Sequence, residues 1–426
     1  MSAPQQPWPA PPATGPLAAT VPLPGSKSLT NRALVLAALS ATPTRIGAPL
    51  QARDTELMAA ALRSLGVAVT DGPDRDWLVE PGALHGGPVE CGLAGTVLRF
   101  VPALAALASG SSRFDGDPAA RVRPMSALLD GLRQAGARID DGGRGLLPFT
   151  VHGQGGLPGG RIEIDSSASS QFVSALLIAA SRFDQGAELR TIGPVPSLPH
   201  IEMTIAAVSQ AGGSVHTLGP GHWLVDPGKL DLPDQVIEPD LSNAAPFLAA
   251  ALVTGGSVTV PHWPADTDQP GSLLADLLTA MGGQASLDER GLTMTGSGSI
   301  APLVADLHQA SELTPVLAAL AALADGESRI TGVAHIRGHE TDRLAALRTE
   351  LAAIGAEVTE TADGLLIRPG RLRPALWHAY ADHRMAQAGA LLGLAVPGLT
   401  VDDIGCTSKT MAGFPELWAA LLGQAG

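Results

Sequence analysis

Several short stretches of this 426-residue chain carry the residue types that bind anions and move protons. The first, Pro24-Gly25-Ser26-Lys27-Ser28-Leu29-Thr30-Asn31-Arg32, places a glycine, hydroxyls and two cations at the start of an apolar helix pattern. A helix start has unpaired backbone N–H groups and partial positive charge, so this turn suits a phosphate or carboxylate. It is not a P-loop, because Gly-x-x-x-x-Gly-Lys-Ser/Thr is absent. Gly92-Leu93-Ala94-Gly95-Thr96 repeats the arrangement, with Arg99 one turn on, and Arg121 and Arg123 precede another helix pattern. Ser166-Ser167-Ala168-Ser169-Ser170-Gln171 offers small hydrogen-bonding groups to a polyol or phosphate. Further on stand His339-Glu340-Thr341-Asp342-Arg343, Asp382-His383-Arg384-Met385 and Cys406-Thr407-Ser408-Lys409-Thr410. Glu340 suits proton transfer, and Arg343 can clamp an anion with two parallel bonds.

Each stretch alone also reads as an ordinary capped helix start or solvated loop. Together, Lys27, Arg123, Arg343, Arg384 and Lys409 are cations at turns of one kind in a chain of net charge −14. That pattern points to a site for small, strongly anionic substrates, with Glu312 and Glu340 as acid/base candidates. The overall negative charge argues against a broad basic nucleic-acid surface. His335, His339 and His383 lack Cys or His partners at zinc spacing, so no metal site is expected. Cys406 reads as a packed thiol, and no Ser/His/Asp order stands out. Two cysteines exclude a disulfide scaffold and fit a reducing compartment. No apolar run reaches the 18 or so residues of a membrane span, and no secretory signal is visible, so a cytoplasmic location is expected.

The elements that must position these residues follow a hidden period. Gly66, Gly136, Gly212, Gly282 and Gly355 each end an apolar helix pattern, at spacings of 70 to 76 residues. Strands are expected after them, at Val67-Ala68-Val69, Ala137-Arg138-Ile139 and Ser214-Val215-His216. A second series of turns runs into Ala/Leu-rich helices near Ser28, Gly95, Ser169, Ser242, Glu312 and His383, 67 to 74 residues apart. These helices are apolar almost all round, for example Ala33-Leu34-Val35-Leu36-Ala37-Ala38-Leu39, which implies burial. Six units of about 70 residues, too large for a simple solenoid, suggest two domains of three units each. Pro22-Leu23-Pro24-Gly25 and Glu238-Pro239-Asp240 are the expected crossovers. They assign residues 25–238 to one domain, and 1–24 with 239–426 to the other.

At this point the chain resembles the 5-enolpyruvylshikimate-3-phosphate synthase family of enolpyruvyl transferases. Gly25-Ser26-Lys27-Ser28, Leu93-Ala94-Gly95-Thr96, Glu340-Thr341-Asp342-Arg343, Asp382-His383-Arg384-Met385-Ala386 and Ser408-Lys409-Thr410 stand in the family's order and spacing. The resemblance implies an α/β fold: a two-domain inside-out α/β barrel of six βαβαββ units, three per domain, with the active site in the cleft between the domains. It implies transfer of the enolpyruvyl group of phosphoenolpyruvate to the 5-hydroxyl of shikimate 3-phosphate, releasing phosphate, without metal or organic cofactor. By matched position, Lys27, Ser28, Arg32, Ser169, Ser170, Gln171, Ser197, Glu312 and His339 would hold shikimate 3-phosphate. Lys27, Gly95, Arg123, Gln171, Arg343, Arg384 and Lys409 would hold phosphoenolpyruvate. The resemblance makes Glu312 the base at the 5-hydroxyl and Glu340 the proton donor to C3, with Lys27 assisting. The partners expected are small molecules only, with the chain a monomer and no nucleic acid or membrane involved.

The chain also departs from the family pattern. Leu93 replaces a common Asn, Phe100 a common Pro, and Gly338-His339 a common Val-Lys pair. His335 falls at a usual Asn, and Leu198 and His200 replace a Lys and a Tyr beside Ser197. A related transferase acting on UDP-N-acetylglucosamine is the nearest rival, but its loop before Arg123 typically holds a cysteine, which Asp117 to Val122 lack. A noncatalytic anion-binding protein on the same scaffold is the rival of another class, and Lys27, Glu312 and Glu340 argue against it.

Overall fold

A computed structural model describes residues 6–193, 195 and 197–424. The chain divides into two compact units, Gly25–Glu238, and Met1–Pro24 with Pro239–Gly426. It passes from one to the other at two places. There Ser26 N–H donates to the Glu238 carbonyl at 2.8 Å, and Asp240 N–H to the Pro24 carbonyl at 2.9 Å.

Within Gly25–Glu238 three four-stranded sheets share one plan. In the clearest, Gly160–Asp165 leads through the helix Gln171–Ala180 to the parallel strand Ala187–Ile192. The helix Leu198–Gln210 then leads to Val215–Gly219 and His222–Val225, an antiparallel hairpin that completes the sheet. Alternate residues of these strands, Ile162, Ile164, Leu189, Trp223 and Val225, are buried, as strand geometry requires of a sheet with one wet face. The sheet of Val89–Glu90, Ser109–Asp115, Phe149–Gln154 and Arg138–Asp140 repeats the plan. In the third sheet the parallel partner of Thr44–Gly47 is Gln235–Val236, supplied from the far end of the unit.

The other unit repeats the arrangement. Ala18–Thr20 pairs in parallel with Ser257–Val260, and Val304–Asp306 with Ser328–Thr331, each sheet closing with a hairpin. The last sheet has three strands, with Trp8–Pro9 antiparallel to Thr400–Val401 where the others carry the hairpin.

The helices opening each repeat are Lys27–Leu39, Gly95–Leu107 and Gln171–Ala180 in one unit, and Ala245–Thr254, Thr314–Ala322 and His383–Gly393 in the other. They are buried on nearly every side and fill the two cores, one per unit. Leu36, Val101, Leu177, Leu248, Leu317 and Leu391 are all solvent-free. Truncating such a leucine costs about 2–5 kcal/mol. The second helices of the repeats lie further out and stop at glycine: Gly66, Gly136, Gly212, Gly282 and Gly355 all have φ between +81° and +110°. A β-carbon is disfavoured there, which is why glycine marks the period. Rigid buried helices thus present their N-terminal turns at one defined place in each repeat. Among the described residues no helix is long and apolar enough to cross a membrane.

Candidate active site

In Gly25–Glu238 three of these turns carry the expected residues. Ser26 caps the first helix, its Oγ accepting from Leu29 N–H at 3.5 Å. Lys27 Nζ lies 3.5 Å from Asp54 Oδ2, a buried carboxylate at the start of the next helix. Arg32, only 2% exposed, donates from Nε to Thr204 Oγ1 at 2.8 Å, from Nη1 to the Ser28 carbonyl at 3.1 Å and from Nη2 to the His200 carbonyl at 2.9 Å. Its guanidinium also lies over the Phe100 ring, 5.5 Å from the centroid. Three of its five N–H groups are thus fixed by neutral acceptors. Burial pushes its guanidinium down to about 10.

Gly95 opens the second helix among three functional side chains. A β-carbon there would lie 2.7 Å from Arg99 Nη1, 3.5 Å from Arg123 Nη1 and 3.6 Å from Gln171 Oε1. The missing side chain therefore clears a small polar floor between two guanidiniums and an amide. Arg123 Nη1 also donates to the Leu93 carbonyl at 3.5 Å. The serine turn follows: Ser169 Oγ accepts from Gln171 N–H at 3.3 Å, and Ser170 is buried. Ser197 precedes the helix that carries His200 and Thr204, and it adopts left-handed backbone angles, φ 52° and ψ 63°. Strained backbone of this kind persists where the surroundings hold it, often at ligand sites. Ser166 Oγ, Gln171 Oε1 and Ser197 Oγ are buried without a hydrogen-bond partner among the described residues. Leaving such an atom unpaired costs about 1–3 kcal/mol, which a ligand can recover.

The other unit gathers the remaining residues. Arg343, 3% exposed, donates two hydrogen bonds to Asp382, which is 0% exposed: Nε to Oδ2 at 2.7 Å and Nη2 to Oδ1 at 3.2 Å. Its Nη2 also reaches Glu340 Oε2 at 3.1 Å, and its Nη1 meets His339 Nδ1 at 3.1 Å. Lys409 Nζ bonds the second oxygen of Glu340. Burial alone would lower the Arg343 guanidinium, but the charges of Asp382 and Glu340 outweigh it and raise it above its ordinary value. Asp382 also caps the buried helix, accepting from Arg384 N–H at 2.9 Å. Arg384 Nη1 donates to the Ser242 carbonyl at 2.7 Å, and burial lowers its guanidinium against the pull of Asp240 and Glu312. Ser242 Oγ donates to Glu312 Oε1 at 3.1 Å, while Glu312 Oε2 is buried without a hydrogen-bond partner among the described residues.

Cys406 takes no part. Its Sγ donates to the Asp403 carbonyl at 3.0 Å, and burial with the charges of Asp403 and Asp382 pushes the thiol up. Among the described residues no group of His, Cys, Asp and Glu side chains is placed to hold a metal ion.

Sequence reasoning missed Asp54 and Asp382 as site residues. Asp382 carried a signal, since an aspartate directly before a buried helix is a cap. Its pairing with Arg343, 39 residues away, is visible only in the fold.

Buried helices enclosed by small sheets, with cation-bearing turns at the helix starts, define the class of inside-out α/β folds. The solved structures with this architecture include EPSP synthase from Acinetobacter baumannii, with a TM-score of 0.80 at 22% identity over 99% of this chain and 98% of that one. They also include the enolpyruvyl transferase NikO from Streptomyces tendae, with a TM-score of 0.74 at 19% identity over 96% of each chain. The sequence profile of EPSP synthase (3-phosphoshikimate 1-carboxyvinyltransferase) matches residues 12–418. The 3-phosphoshikimate 1-carboxyvinyltransferase of Kocuria rhizophila is 53% identical over 98% of this chain and 97% of its own length. The chain belongs to the EPSP synthase family. It is a transferase that carries out enolpyruvyl transfer in the shikimate pathway, on the route to the aromatic amino acids.

Proposed function

We propose that the chain joins phosphoenolpyruvate to the 5-hydroxyl of shikimate 3-phosphate by addition and elimination, with the residues above in the following roles. Glu312 takes the proton of the 5-hydroxyl as that oxygen adds to C2 of phosphoenolpyruvate, and Glu340 gives a proton to C3. The product of this step is a tetrahedral ketal phosphate. C3 then loses a proton, phosphate departs with the electrons of its C–O bond, and Lys27 assists at the hydroxyl and the leaving phosphate. Ser28, Arg32, Ser169, Ser170, Gln171, Ser197 and His339 hold shikimate 3-phosphate. Gly95, Arg123, Gln171, Arg343, Arg384 and Lys409 hold phosphoenolpyruvate, and both sets act on one pair of substrates.

The observation that carries this reading is the state of the two carboxylates. Glu312 has one oxygen pinned by Ser242 and the other buried and unpaired, so it lacks only a hydroxyl to accept from. Glu340 is held by Arg343 and Lys409, the cations assigned to phosphoenolpyruvate. An incoming anion draws those cations to its own oxygens and frees the carboxyl to carry a proton. The enzyme is taken to work in the cytoplasm, as a monomer and without metal or organic cofactor. The test is phosphate release by the purified chain in a chelated buffer. Release is expected only when both substrates are present, and release with UDP-N-acetylglucosamine in place of shikimate 3-phosphate would contradict the assignment.

A further inference from the structure

We propose that His339 is a positioning residue that orients Arg343 through an unprotonated Nδ1, carrying its own proton on Nε2, so that one imidazole ties the grip on phosphoenolpyruvate to the grip on shikimate 3-phosphate. The inference rests on the substrate reading given above and deepens it. Arg343 Nη1 stands 3.1 Å from His339 Nδ1. A guanidinium has donors only, so Nδ1 is the acceptor, the ring is neutral and its hydrogen sits on Nε2. Arg343 Nε and Nη2 are engaged by Asp382 and Glu340, which leaves Nη1 as the arm that the imidazole aims. Nε2–H is then the donor offered to shikimate 3-phosphate. The lysine common at this position in the family has a donor but no acceptor, so it could hold shikimate 3-phosphate but not Arg343.

The groups around the ring come from several elements. His335 stands beside it, ring centroids 6.0 Å apart, and His308 lies 5.9 Å from His335. His335 Nε2 is 2.8 Å from Ser311 Oγ, next to Glu312. Beyond Arg343 lie Asp382 and Glu340, the latter also bonded to Lys409. On the turn itself Arg337 is tied to Asp342 and Glu360. Protonating Nδ1 would set an N–H against an N–H and a cation against Arg343. As pH falls through the imidazole range, Arg343 Nη1 therefore loses its acceptor and phosphoenolpyruvate part of its grip.

Steady-state kinetics on the wild type and on His339→Asn, His339→Lys and His339→Ala test this. The asparagine carbonyl falls near the place of Nδ1 and can accept from Nη1, whereas alanine and lysine cannot. A lost hydrogen bond to a charged group corresponds to about a tenfold effect or more. The KM for phosphoenolpyruvate is therefore expected to be about tenfold or more higher in the Lys and Ala variants than in the Asn variant. The KM for shikimate 3-phosphate should follow a crossed pattern, rising in Asn and Ala but not in Lys. The wild type's KM for phosphoenolpyruvate should climb below neutral pH relative to that of His339→Asn, a ratio in which the substrates' own ionisation cancels. Equal phosphoenolpyruvate KM in all three variants, or a ratio of wild-type to Asn-variant KM that stays constant as pH falls, would overturn the proposal. A wild type that forms no product from these substrates would overturn the substrate reading instead. Nitrogen-15 NMR of the wild-type chain without substrate decides the tautomer independently: a bare Nδ1 and protonated Nε2 are expected, and a protonated Nδ1 would refute the inference.

Discussion

Two arginines, one in each unit, are almost equally buried and yet are held in opposite ways. Arg32 is fixed by a threonine hydroxyl and two backbone carbonyls, and desolvation lowers its guanidinium to about 10. Arg343 is fixed by Asp382 and Glu340, whose charges raise its guanidinium above the ordinary value. Neutral partners orient a cation without cancelling its charge, which suits the anchoring role proposed for Arg32. Carboxylate partners neutralise Arg343, and in the proposed reaction an anion that displaces one of them would couple binding to a change at Glu340. The proposal thus gives anchoring to one set of residues and proton movement to the other.

Glu340→Gln should have the largest effect. Glutamine keeps the shape and one accepting oxygen but carries no exchangeable acid proton, so kcat should fall by roughly 10²–10⁴-fold while the KM values change less. Wild-type turnover in that variant would remove Glu340 from the mechanism. The comparison sharpens with a pair of stability measurements by urea unfolding. Asp382→Asn keeps the helix cap but leaves Glu340 as the remaining carboxylate bonded to Arg343, and breaking a buried pair costs about 3–5 kcal/mol. Arg32→Met removes a cation whose burial is itself unfavourable. The downward shift of its guanidinium to about 10 corresponds to roughly 3 kcal/mol. Because this shift is downward, the cost is full below about pH 10 and fades as pH rises toward the unfolded value. His200 O also keeps its bond from Thr204, so Arg32→Met should lower stability by less than about 2 kcal/mol while raising the KM for shikimate 3-phosphate. Equal losses in Asp382→Asn and Arg32→Met would break the comparison.

The anchoring residues were more legible in the sequence than their partners, for a physical reason. Lys27, Gly95, Gln171 and His383 announce helix starts through local chemistry, and Gly66 to Gly355 announce helix ends because only glycine is at ease at their φ values. Such signals survive in a single window. Asp54, Asp382 and the row His308, His335, His339 act through neighbours 24 to 39 residues away or across a turn, which no local pattern encodes. His335 and His339 read as isolated in the sequence, and the fold sets their rings edge to face, with His308 beyond His335. The two-residue strands Gln235–Val236 and Trp8–Pro9 escaped for a similar reason: each is completed by a partner at the other end of its unit.

Smaller effects refine the contrast. Arg123→Ala should weaken phosphoenolpyruvate binding by about 2–5 kcal/mol, the range for one partner of a buried charged pair, with little change in unfolding. Away from the site, the chain's single tyrosine reports how a carboxylate tunes a neighbour. Tyr380 donates to Glu350 Oε1 at 2.6 Å, and burial with that bond raises its phenol to about 12. An upward shift in an acid is stabilising below the unfolded value near 10 and is lost as pH rises from about 10 to 12. At about pH 10, where a free phenol is half ionised, ultraviolet titration of the native protein should show little phenolate. Glu350→Gln should move that titration downward.

The division between anchoring and proton movement is tested most directly by running the reaction in D2O with both substrates saturating. Protonation makes C3 a methyl group, and elimination then removes one of its three hydrogens. Proton NMR should therefore find deuterium on the vinyl carbon of the product from the wild type, and likewise from Arg32→Met, whose proton chemistry is untouched once its substrate is bound. Glu340→Gln should show neither incorporation nor appreciable product. Deuterium entering at the wild-type rate in Glu340→Gln, or failing to enter in Arg32→Met at saturation, would contradict the account.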